Sequence, residues 1–386
     1  MFHTPVMAVQ METRIFSSVE EFTESLRRFG AIARSKEMRL LVLPELVGLM
    51  LIPPLMAGLK PSLLRTAGGG KHRKAPLTQK VRGWLAGSVA SALKADMRQE
   101  TIHWLSQPDN VAALDRTFRD ICARVAAEFR LTLIAGSCYR LHPPANDLYN
   151  TAYVLGPGGE LLGSQDQTHL LSTPIVELVA GHSLHPIPTS VGNIGILLSD
   201  DALFPEAGRA LAYEGADLLV SLAACAGDLH AARLRHAFQA RVAENELYGI
   251  QSFLVGDNPW ADGRGAAAEF EGRSMLVGPL ELVPRPNGIV SEMGESVEGV
   301  VAGLLDLTDL LFEYLEDYRG TWLKWAAAVG RWLERLSVRR SDRLITISRA
   351  MADILTSEYQ VRPRQVDIVH DGVDTQVFRR QPADDL

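Results

Sequence analysis

The sequence of 386 residues has few cysteines, no excess of basic residues and no apolar run long enough to cross a membrane. Its three cysteines have no paired spacing, which excludes a disulfide framework and does not indicate a zinc site. Acidic residues outnumber basic ones by 46 to 39, a formal charge of −7, which argues against nucleic acid as a partner. The N-terminus carries no signal-peptide pattern. We therefore expect a cytoplasmic protein of two or three domains without a bound metal.

Short apolar runs alternate with helical patterns over the first 310 residues. Runs at 7–10 and 40–43 are typical of buried strands, and a helix over 17–36 lies between them. Glu45 follows the second run, at the end of a strand where open α/β folds hold their chemistry. The pattern continues with strands at 131–135, 151–155, 194–198, 217–222 and 249–255 and with helices at 111–129, 205–214 and 229–247. This alternation predicts a layered α/β domain over residues 1–310.

An insert over residues 46–110 interrupts the alternation. Its first part, residues 46–95, contains no aspartate or glutamate but eight lysines and arginines, while 46–59 is uncharged and apolar apart from its prolines. One interpretation is a loop with helices over the mouth of an active site; the other is a surface for an anionic membrane or an acidic partner, which would place the protein at a membrane periphery. Apolar runs this short usually pack in cores, which favours the first interpretation.

The residues after 310 have a different character. Residues 311–340 predict an amphipathic helical linker in which Trp322, Trp325 and Trp332 share one face, typical of a core or partner contact and less often of a membrane interface. Residues 341–386 predict a partial Rossmann-like βαβ fragment, with strands at 343–347 and 366–369 around a helix at 349–359. Such a fragment is too small to bury a core alone.

Ordered motifs along residues 5–310 indicate a family. They are Leu41-Val42-Leu43-Pro44-Glu45, Tyr149-Asn150-Thr151-Ala152, Gly163 to Leu170, Gly192 to Leu198, Asp201, Phe204-Pro205-Glu206, Arg209, Gly215-Ala216-Asp217, Arg241 to Asn245, Gly272-Arg273-Ser274 and Gly278-Pro279. In this order and spacing they resemble the carbon–nitrogen hydrolase (nitrilase) superfamily. The resemblance implies an αββα sandwich, commonly paired into dimers, that hydrolyses or condenses amides and nitriles with a Glu–Lys–Cys triad and no cofactor.

The resemblance places the triad at Glu45, Gln167 and Ser199, so that the lysine and the cysteine are both replaced. In such a triad the thiolate attacks carbon, the glutamate moves the proton and the lysine stabilises the oxyanion. A serine hydroxyl is a much weaker nucleophile than a thiolate, and a neutral amide supplies no charge. We therefore expect a pseudoenzyme with a binding or scaffolding role. Glu177 is a candidate for the additional glutamate of the family.

Other interpretations stay open at this point. Ser199 could hydrolyse amides or nitriles with Glu45 as the base, or with His169 and Asp201 as a serine triad. Cys225 could line the same pocket, although a buried free cysteine is usually a packing residue. We also expect a homodimer, which the resemblance places at the helices around 205–214 and 229–247.

The tail carries a second set of motifs. They are Ser341 to Ser348, Met351, Val366 to Thr375 and Phe378. They resemble the end of the acceptor-side domain of family 4 glycosyltransferases, over about residues 320–380. The Gly-rich first strand–turn–helix and the nucleotide-sugar domain of that family do not occur in the sequence, so we expect no sugar transfer by this chain alone. The alternative function is an accessory or fused part of a glycosyltransferase, with that enzyme or another protein as the partner of the tail.

Overall fold

The computed structural model describes residues 3–56, 98–142, 147–171, 175–261, 269–280 and 282–307, and the backbone of 344–346 and 366–368. Its long helices are α1 (Val19–Ser35), α2 (Pro108–Phe129), α3 (Pro205–Tyr213) and α4 (Asp228–Asn245). Its strands are β1 (His3–Glu12), β2 (Leu40–Val42), β3 (Thr132–His142), β4 (Asp147–Leu155), β5 (Leu161–Asp166), β6 (Ile187–Thr189), β7 (Gly192–Leu198), β8 (Leu218–Ala223), β9 (Cys225–Ala226), β10 (Tyr248–Asp257), β11 (Glu269–Glu271), β12 (Met275–Val277), β13 (Ile289–Glu292), β14 (Gly299–Asp306), β15 (Leu344–Thr346) and β16 (Val366–Ile368).

The main strands form two mixed sheets that meet along one short seam. The first has the order β5-β4-β3-β2-β1-β14, with β1, β2 and β3 parallel. The second has the order β13-β12-β10-β8-β7-β6, with β7, β8 and β10 parallel. Strands β1 and β10 pair only at Met11–Leu254 and Glu12–Val255, which joins the two sheets at this edge.

Alternation along each strand explains the layers. On β1, Val6 and Ala8 enter the apolar cluster between the sheets, whereas Met7 and Val9 enter the cluster beneath the helices α1 and α2. The same alternation on the second sheet separates the inter-sheet side chains from a third cluster beneath α3 and α4. Because successive side chains of a strand point to opposite faces, strands that are apolar throughout need cover on both sides. The predicted αββα sandwich is confirmed.

The uncharged start of the insert packs inside the protein. A 3₁₀ helix over Val47–Leu51 and a short helix over Ile52–Leu55 follow Glu45, and most of their apolar side chains are buried against the cluster beneath α1 and α2. The structure thus agrees with the core interpretation for residues 47–52. The basic stretch of the insert falls on 57–97, outside the described residues, and a helical segment over 98–105 leads into α2.

Two strands of the tail lie within the described backbone. β15 and β16 pair in parallel, with Leu344 opposite Val366, as expected for a βαβ fragment. The predicted helix at 349–359 and the tryptophan-rich linker at 311–340 lie outside the described residues. Of the helices that the structure describes, none combines the length and the apolar character that crossing a membrane requires.

Candidate functional site

Three strand ends bring the three predicted triad positions together. Glu45 follows β2, Gln167 follows β5 and Ser199 follows β7, and all three side chains line one cavity of about 610 Å³. Strands that run in the same direction end at the same edge of the sheets, which explains why distant positions in the sequence meet here. We call Glu45, Asn150, Gln167 and Ser199, all of which are buried, the cavity floor.

The loop that carries Glu45 packs against β3 and forms a hydrogen bond with it. The Leu46 backbone N–H donates to Ser137 Oγ at 2.9 Å. Gly136 has a φ of +79°, and a Cβ at this position would collide with the carbonyl oxygen of Pro44. Only glycine adopts this conformation at low cost in so little space, so Gly136 lets the loop close down onto the sheet.

Glu45 accepts hydrogen bonds from three directions. Asn150 Nδ2 donates to its Oε1 at 2.9 Å, and the Ala224 N–H donates to its Oε2 at 2.8 Å. The Ser199 hydroxyl also donates to this carboxyl group. The predicted base and the predicted nucleophile position are therefore in direct contact.

No cation of the described residues balances Glu45. Burial, with the negative charge of Asp200 as the next contribution, raises the pKa of Glu45 to about 8, although the three hydrogen bonds oppose the rise. At pH 7 only about a tenth of this group is then ionised. A lysine ammonium at the position of Gln167 would favour the carboxylate form, and glutamine does not replace that charge.

Gln167 is held in a neutral hydrogen-bond network. Its Oε1 accepts from the same Asn150 Nδ2 at 3.0 Å, and its Nε2 donates to the backbone carbonyl of His169 at 2.8 Å. One of its amide donors is thus already used within the protein. Asn150 Oδ1 is buried and has no hydrogen-bond partner among the described residues, which leaves an acceptor for a ligand N–H at the cavity floor.

Ser199 occupies a strained backbone position. It begins a 3₁₀ helix over Ser199–Leu203 directly after β7, and its φ is +54°, in the left-handed region that a serine rarely adopts. A sharp strand-to-helix turn of this kind exposes a side chain at the end of a sheet. The turn is therefore built to present Ser199, whatever chemistry the side chain performs.

The interpretation of His169 and Asp201 as serine-triad members is not supported by their positions. The carboxylate of Asp201 accepts hydrogen bonds from the backbone N–H of Thr168, His169 and Leu198, at 2.7 to 3.3 Å. The His169 ring contacts the same carboxylate at 3.0 Å and stacks on Phe204. Neither His169 nor Asp201 lines the cavity. The pair fixes the turn behind Ser199.

A different acid–histidine pair lies in the cavity, and sequence reasoning missed it. Asp200 is fully buried, and its Oδ1 contacts His230 Nε2 at 3.0 Å. Its other oxygen accepts the Leu171 N–H at 3.1 Å. In the sequence, only the position of Asp200 next to Ser199 indicated that it could lie in the site. His230 is in the first turn of α4, and no sequence pattern pointed to it.

Two further predicted positions lie apart from the floor. Glu177 is exposed and lines a second, mainly apolar cavity with Ile102 and Leu105, so its role as the additional glutamate stays a prediction. Cys225 is buried between two residues that line the main cavity, and burial raises the pKa of its thiol well above the usual range. A thiol in this state is not an effective nucleophile. Within the part of the chain that the structure describes, no cluster of three metal-binding side chains occurs.

Comparison with known proteins gives one family for the sandwich and another for the tail. The family model described as Carbon-nitrogen hydrolase matches residues 6–309, and the one described as Glycosyltransferase Family 4 matches residues 308–377. The chloroplastic omega-amidase of Arabidopsis thaliana is 30% identical over 200 residues, which cover 49% of this chain and 49% of the relative. The deaminated glutathione amidase of Synechocystis is 30% identical over 144 residues, 34% of this chain and 53% of the relative. The chain thus spans about half the length of these relatives.

Solved structures share the fold. An amidase from Nesterenkonia sp. AN1, as a double mutant with acrylamide, matches with a TM-score of 0.54 and 20% identity, covering 86% of this chain and 97% of that chain. A carbon-nitrogen hydrolase from Helicobacter pylori matches with a TM-score of 0.55 and 17% identity, covering 85% and 98%. At these identities the likeness concerns the fold and carries no information about substrate.

Proposed function

Because this chain belongs to the carbon-nitrogen hydrolase family and yet carries glutamine and serine at two of its three reactive positions, we propose that it binds a small amide or acid without hydrolysing it. The observation that carries the proposal is the state of Glu45. It is fully buried and no cation of the described residues lies beside it; burial raises its pKa to about 8, so that only about a tenth of the group can accept the Ser199 proton at pH 7.

The missing groups act at successive steps of the reaction. With about a tenth of Glu45 ionised at pH 7, general-base catalysis is reduced about tenfold, and loss of a donor that stabilises the oxyanion costs about 10²–10³-fold. A serine hydroxyl is also far less nucleophilic than a thiolate. Because groups that act as a unit fail together, these deficits favour a binding protein over a slow amidase.

The floor nevertheless has what an amide needs for recognition. Protonated Glu45 and the Ser199 hydroxyl carry two protons, of which their mutual hydrogen bond uses one, so one donor is left for a ligand; Asn150 Oδ1 is a buried acceptor without a partner in the described part of the chain. A buried unpartnered acceptor costs free energy until a ligand N–H reaches it. A primary carboxamide presents both an acceptor and two donors on one planar group.

Ammonia release over a panel of amides and nitriles tests the absence of hydrolysis. We expect the full chain to release no more ammonia than the buffer, while amides raise its melting temperature. Turnover that is lost in Glu45→Ala would overturn the proposal and make Ser199 a nucleophile.

A Gln167→Lys/Ser199→Cys double variant sharpens this test, because it restores both missing groups. Acrylamide adds to the active-site cysteine in a Glu-to-Gln mutant of the Nesterenkonia amidase, and mass spectrometry would detect an adduct of this kind here. We expect an adduct in the Ser199→Cys single variant, formed about 10–100-fold faster in the double variant, because a nearby cation lowers a thiol pKa. The unmodified chain, with its three buried cysteines, is the control. Equal rates in the two variants would show that position 167 does not set the charge state of the site.

A role linked to glycosyl transfer is the second candidate function. It is supported by the Glycosyltransferase Family 4 match over residues 308–377 and by the parallel pair β15–β16. We propose that the tail binds a glycosyltransferase or completes one. Reconstitution with a candidate enzyme from the same host tests this: removal of residues 320–386 should abolish the complex, and an unchanged complex would contradict the role.

Self-association is a further part of the proposal. The family resemblance favours a two-fold pair through the outer faces of α3 and α4. Light scattering at several protein concentrations should give a dimer mass, and a monomer mass at all of them would exclude the pairing.

A further inference from the structure

A tyrosine beside the cavity floor lies outside the three triad positions. Tyr139 is on β3, is buried, and lines the main cavity. In the antiparallel pairing of β3 with β4 it stands directly opposite Asn150. Residues that face each other in this way project from the same side of the sheet, with Cβ atoms about 4.5–5.5 Å apart. Tyr139 and Asn150 therefore enter the cavity side by side.

One hydrogen bond orients the phenol of Tyr139. The backbone N–H of Ile175 donates to its oxygen, and Ile175 lines the main cavity as well. A phenol oxygen that accepts an N–H still carries its own proton to donate. Burial, with the charge of Glu45 as the next contribution, raises the pKa of Tyr139 above its usual range, so the proton is retained at neutral pH. Tyr139 is thus a hydrogen-bond donor in the wall of the cavity.

Tyr139 and Asn150 carry complementary groups. Asn150 Nδ2 is fixed by its bonds to Glu45 and Gln167, which leaves Oδ1 as a buried acceptor without a partner in the described part of the chain. A carboxamide has a carbonyl oxygen and N–H donors on one planar group, whereas a carboxylate has two acceptors and no N–H. A neighbouring donor and acceptor therefore match the amide and not the acid.

We propose that Tyr139 determines ligand specificity: its hydroxyl donates to the carbonyl oxygen of a bound carboxamide, while Asn150 Oδ1 accepts the amide N–H. This inference rests on the proposed binding function and narrows its ligand from an amide or acid to a carboxamide. A buried acceptor that receives no N–H costs free energy, and a site built for an N–H therefore rejects an analogue that lacks it.

Three ligands of similar shape separate the two hydrogen bonds. Butyramide has both groups, butyrate lacks the N–H, and thiobutyramide keeps the N–H but replaces the carbonyl oxygen with sulfur, which is a weaker acceptor. We expect calorimetry with the full chain at pH 7 to give about tenfold tighter binding of butyramide than of either analogue, as expected for one hydrogen bond.

Removal of the phenol hydroxyl assigns the carbonyl contact to one residue. Tyr139→Phe keeps the ring, so it should bind butyramide about tenfold more weakly and lose the preference over thiobutyramide. Its preference for butyramide over butyrate should persist, because Asn150 is unchanged. Tyr149→Phe is the matched control: Tyr149 precedes Asn150 on β4, is buried, and is not among the residues that line the main cavity. This variant should keep the wild-type ratios.

The outcomes separate this inference from the proposed function. If Tyr139→Phe binds butyramide as tightly as the wild type does, the role of Tyr139 is overturned while amide binding stands. Equal weakening of butyramide and thiobutyramide would mean that the hydroxyl only shapes the cavity, and wild-type binding of butyrate as tight as that of butyramide would mean that the site does not select the amide; either result overturns the inference. If no amide binds, or if ammonia is released, the proposed function fails and the inference fails with it.

Discussion

Asp201 and Glu45 are both buried acidic side chains, and they differ in the hydrogen-bond donors and charged groups around them. Around Asp201, three backbone N–H groups, the Thr168 hydroxyl and the His169 ring all contact the carboxylate. Around Glu45, three hydrogen bonds remain, but the resemblance places a glutamine where a cation would be. The carboxyl group of Asp201, in the turn behind Ser199, thus has several hydrogen-bond donors, whereas Glu45 has glutamine at the position where the family resemblance places a lysine.

This difference separates two uses of a buried acid. At Asp201, burial raises the pKa, hydrogen bonds from Thr168 and His169 oppose the rise, and the carboxyl group ties β7 to the segment after β5. At Glu45, burial and the charge of Asp200 act in the same direction, so the protonated form is preferred. The two carboxyl groups therefore differ in their charged neighbours, because Asp201 contacts the His169 ring and Glu45 lies near the negative charge of Asp200.

Replacing the carboxyl group of Asp201 should have the largest effect. Asp201→Asn replaces one acceptor oxygen with an NH₂ group that faces backbone N–H donors, so we expect a loss on the order of 3–5 kcal/mol in the free energy of unfolding. Urea unfolding at pH 7 measures it, and Asp120→Asn, at an exposed site on α2, is the control. A loss below 1 kcal/mol would contradict the structural role of this turn.

The corresponding substitution Glu45→Gln should raise the free energy of unfolding at high pH, whereas Asp201→Asn lowers it. The pKa of Glu45 is raised from 4.5 to about 8 on folding, so its stabilising contribution is fully present below pH 4.5 and is lost as the pH rises through 8. We expect the free energy of unfolding of the wild type to fall relative to Glu45→Gln between pH 5 and 9, by roughly 4 kcal/mol.

Urea unfolding of both proteins at several pH values in this range measures the difference. Glutamine has the shape of the protonated acid, so the two proteins should be similar near pH 5. A parallel pH dependence throughout would mean that Glu45 titrates normally, and the argument for an inactive base would fail with it.

The alternation of apolar runs predicted a layered α/β domain, whereas the αββα sandwich and the triad positions came from the family resemblance. The structure gives the physical reason for both. β7 and β8 are apolar on both faces, which requires cover by a second sheet and by helices, and the strand ends then place Glu45, Gln167 and Ser199 at one edge. Strands such as β5 were not predicted, because Leu161–Asp166 alternates poorly and is partly exposed.

The missed residues depend on contacts that a local pattern does not encode. His230 meets Asp200 only because α4 begins beside the turn after β7, and the two residues are 30 positions apart. Arg98 reaches the cavity from the insert, where the sequence showed only a basic composition. Local motifs thus identified the positions of the groups that react in the family, whereas the other polar residues that line the cavity required the fold.

The smallest expected effect concerns the backbone at Ser199. Its φ of +54° costs a residue with a Cβ about 1 kcal/mol, and glycine does not bear that cost. We compare Ser199→Gly with Ser199→Ala, because both remove the hydroxyl donor to Glu45 and they differ only in the Cβ. The glycine variant should be more stable by about 1 kcal/mol in urea unfolding.

Ala202→Gly, three residues later in the same turn, provides the opposite control. Ala202 is buried and its φ is not positive, so glycine should destabilise the protein there by about 1 kcal/mol. If glycine is favoured at 199 and disfavoured at 202, the turn bears the backbone strain that presents a side chain to the cavity. Equal stabilities of the two variants at 199 would mean that the turn relaxes around the serine. Backbone strain at position 199 would then not be a property of the turn that holds Asp201.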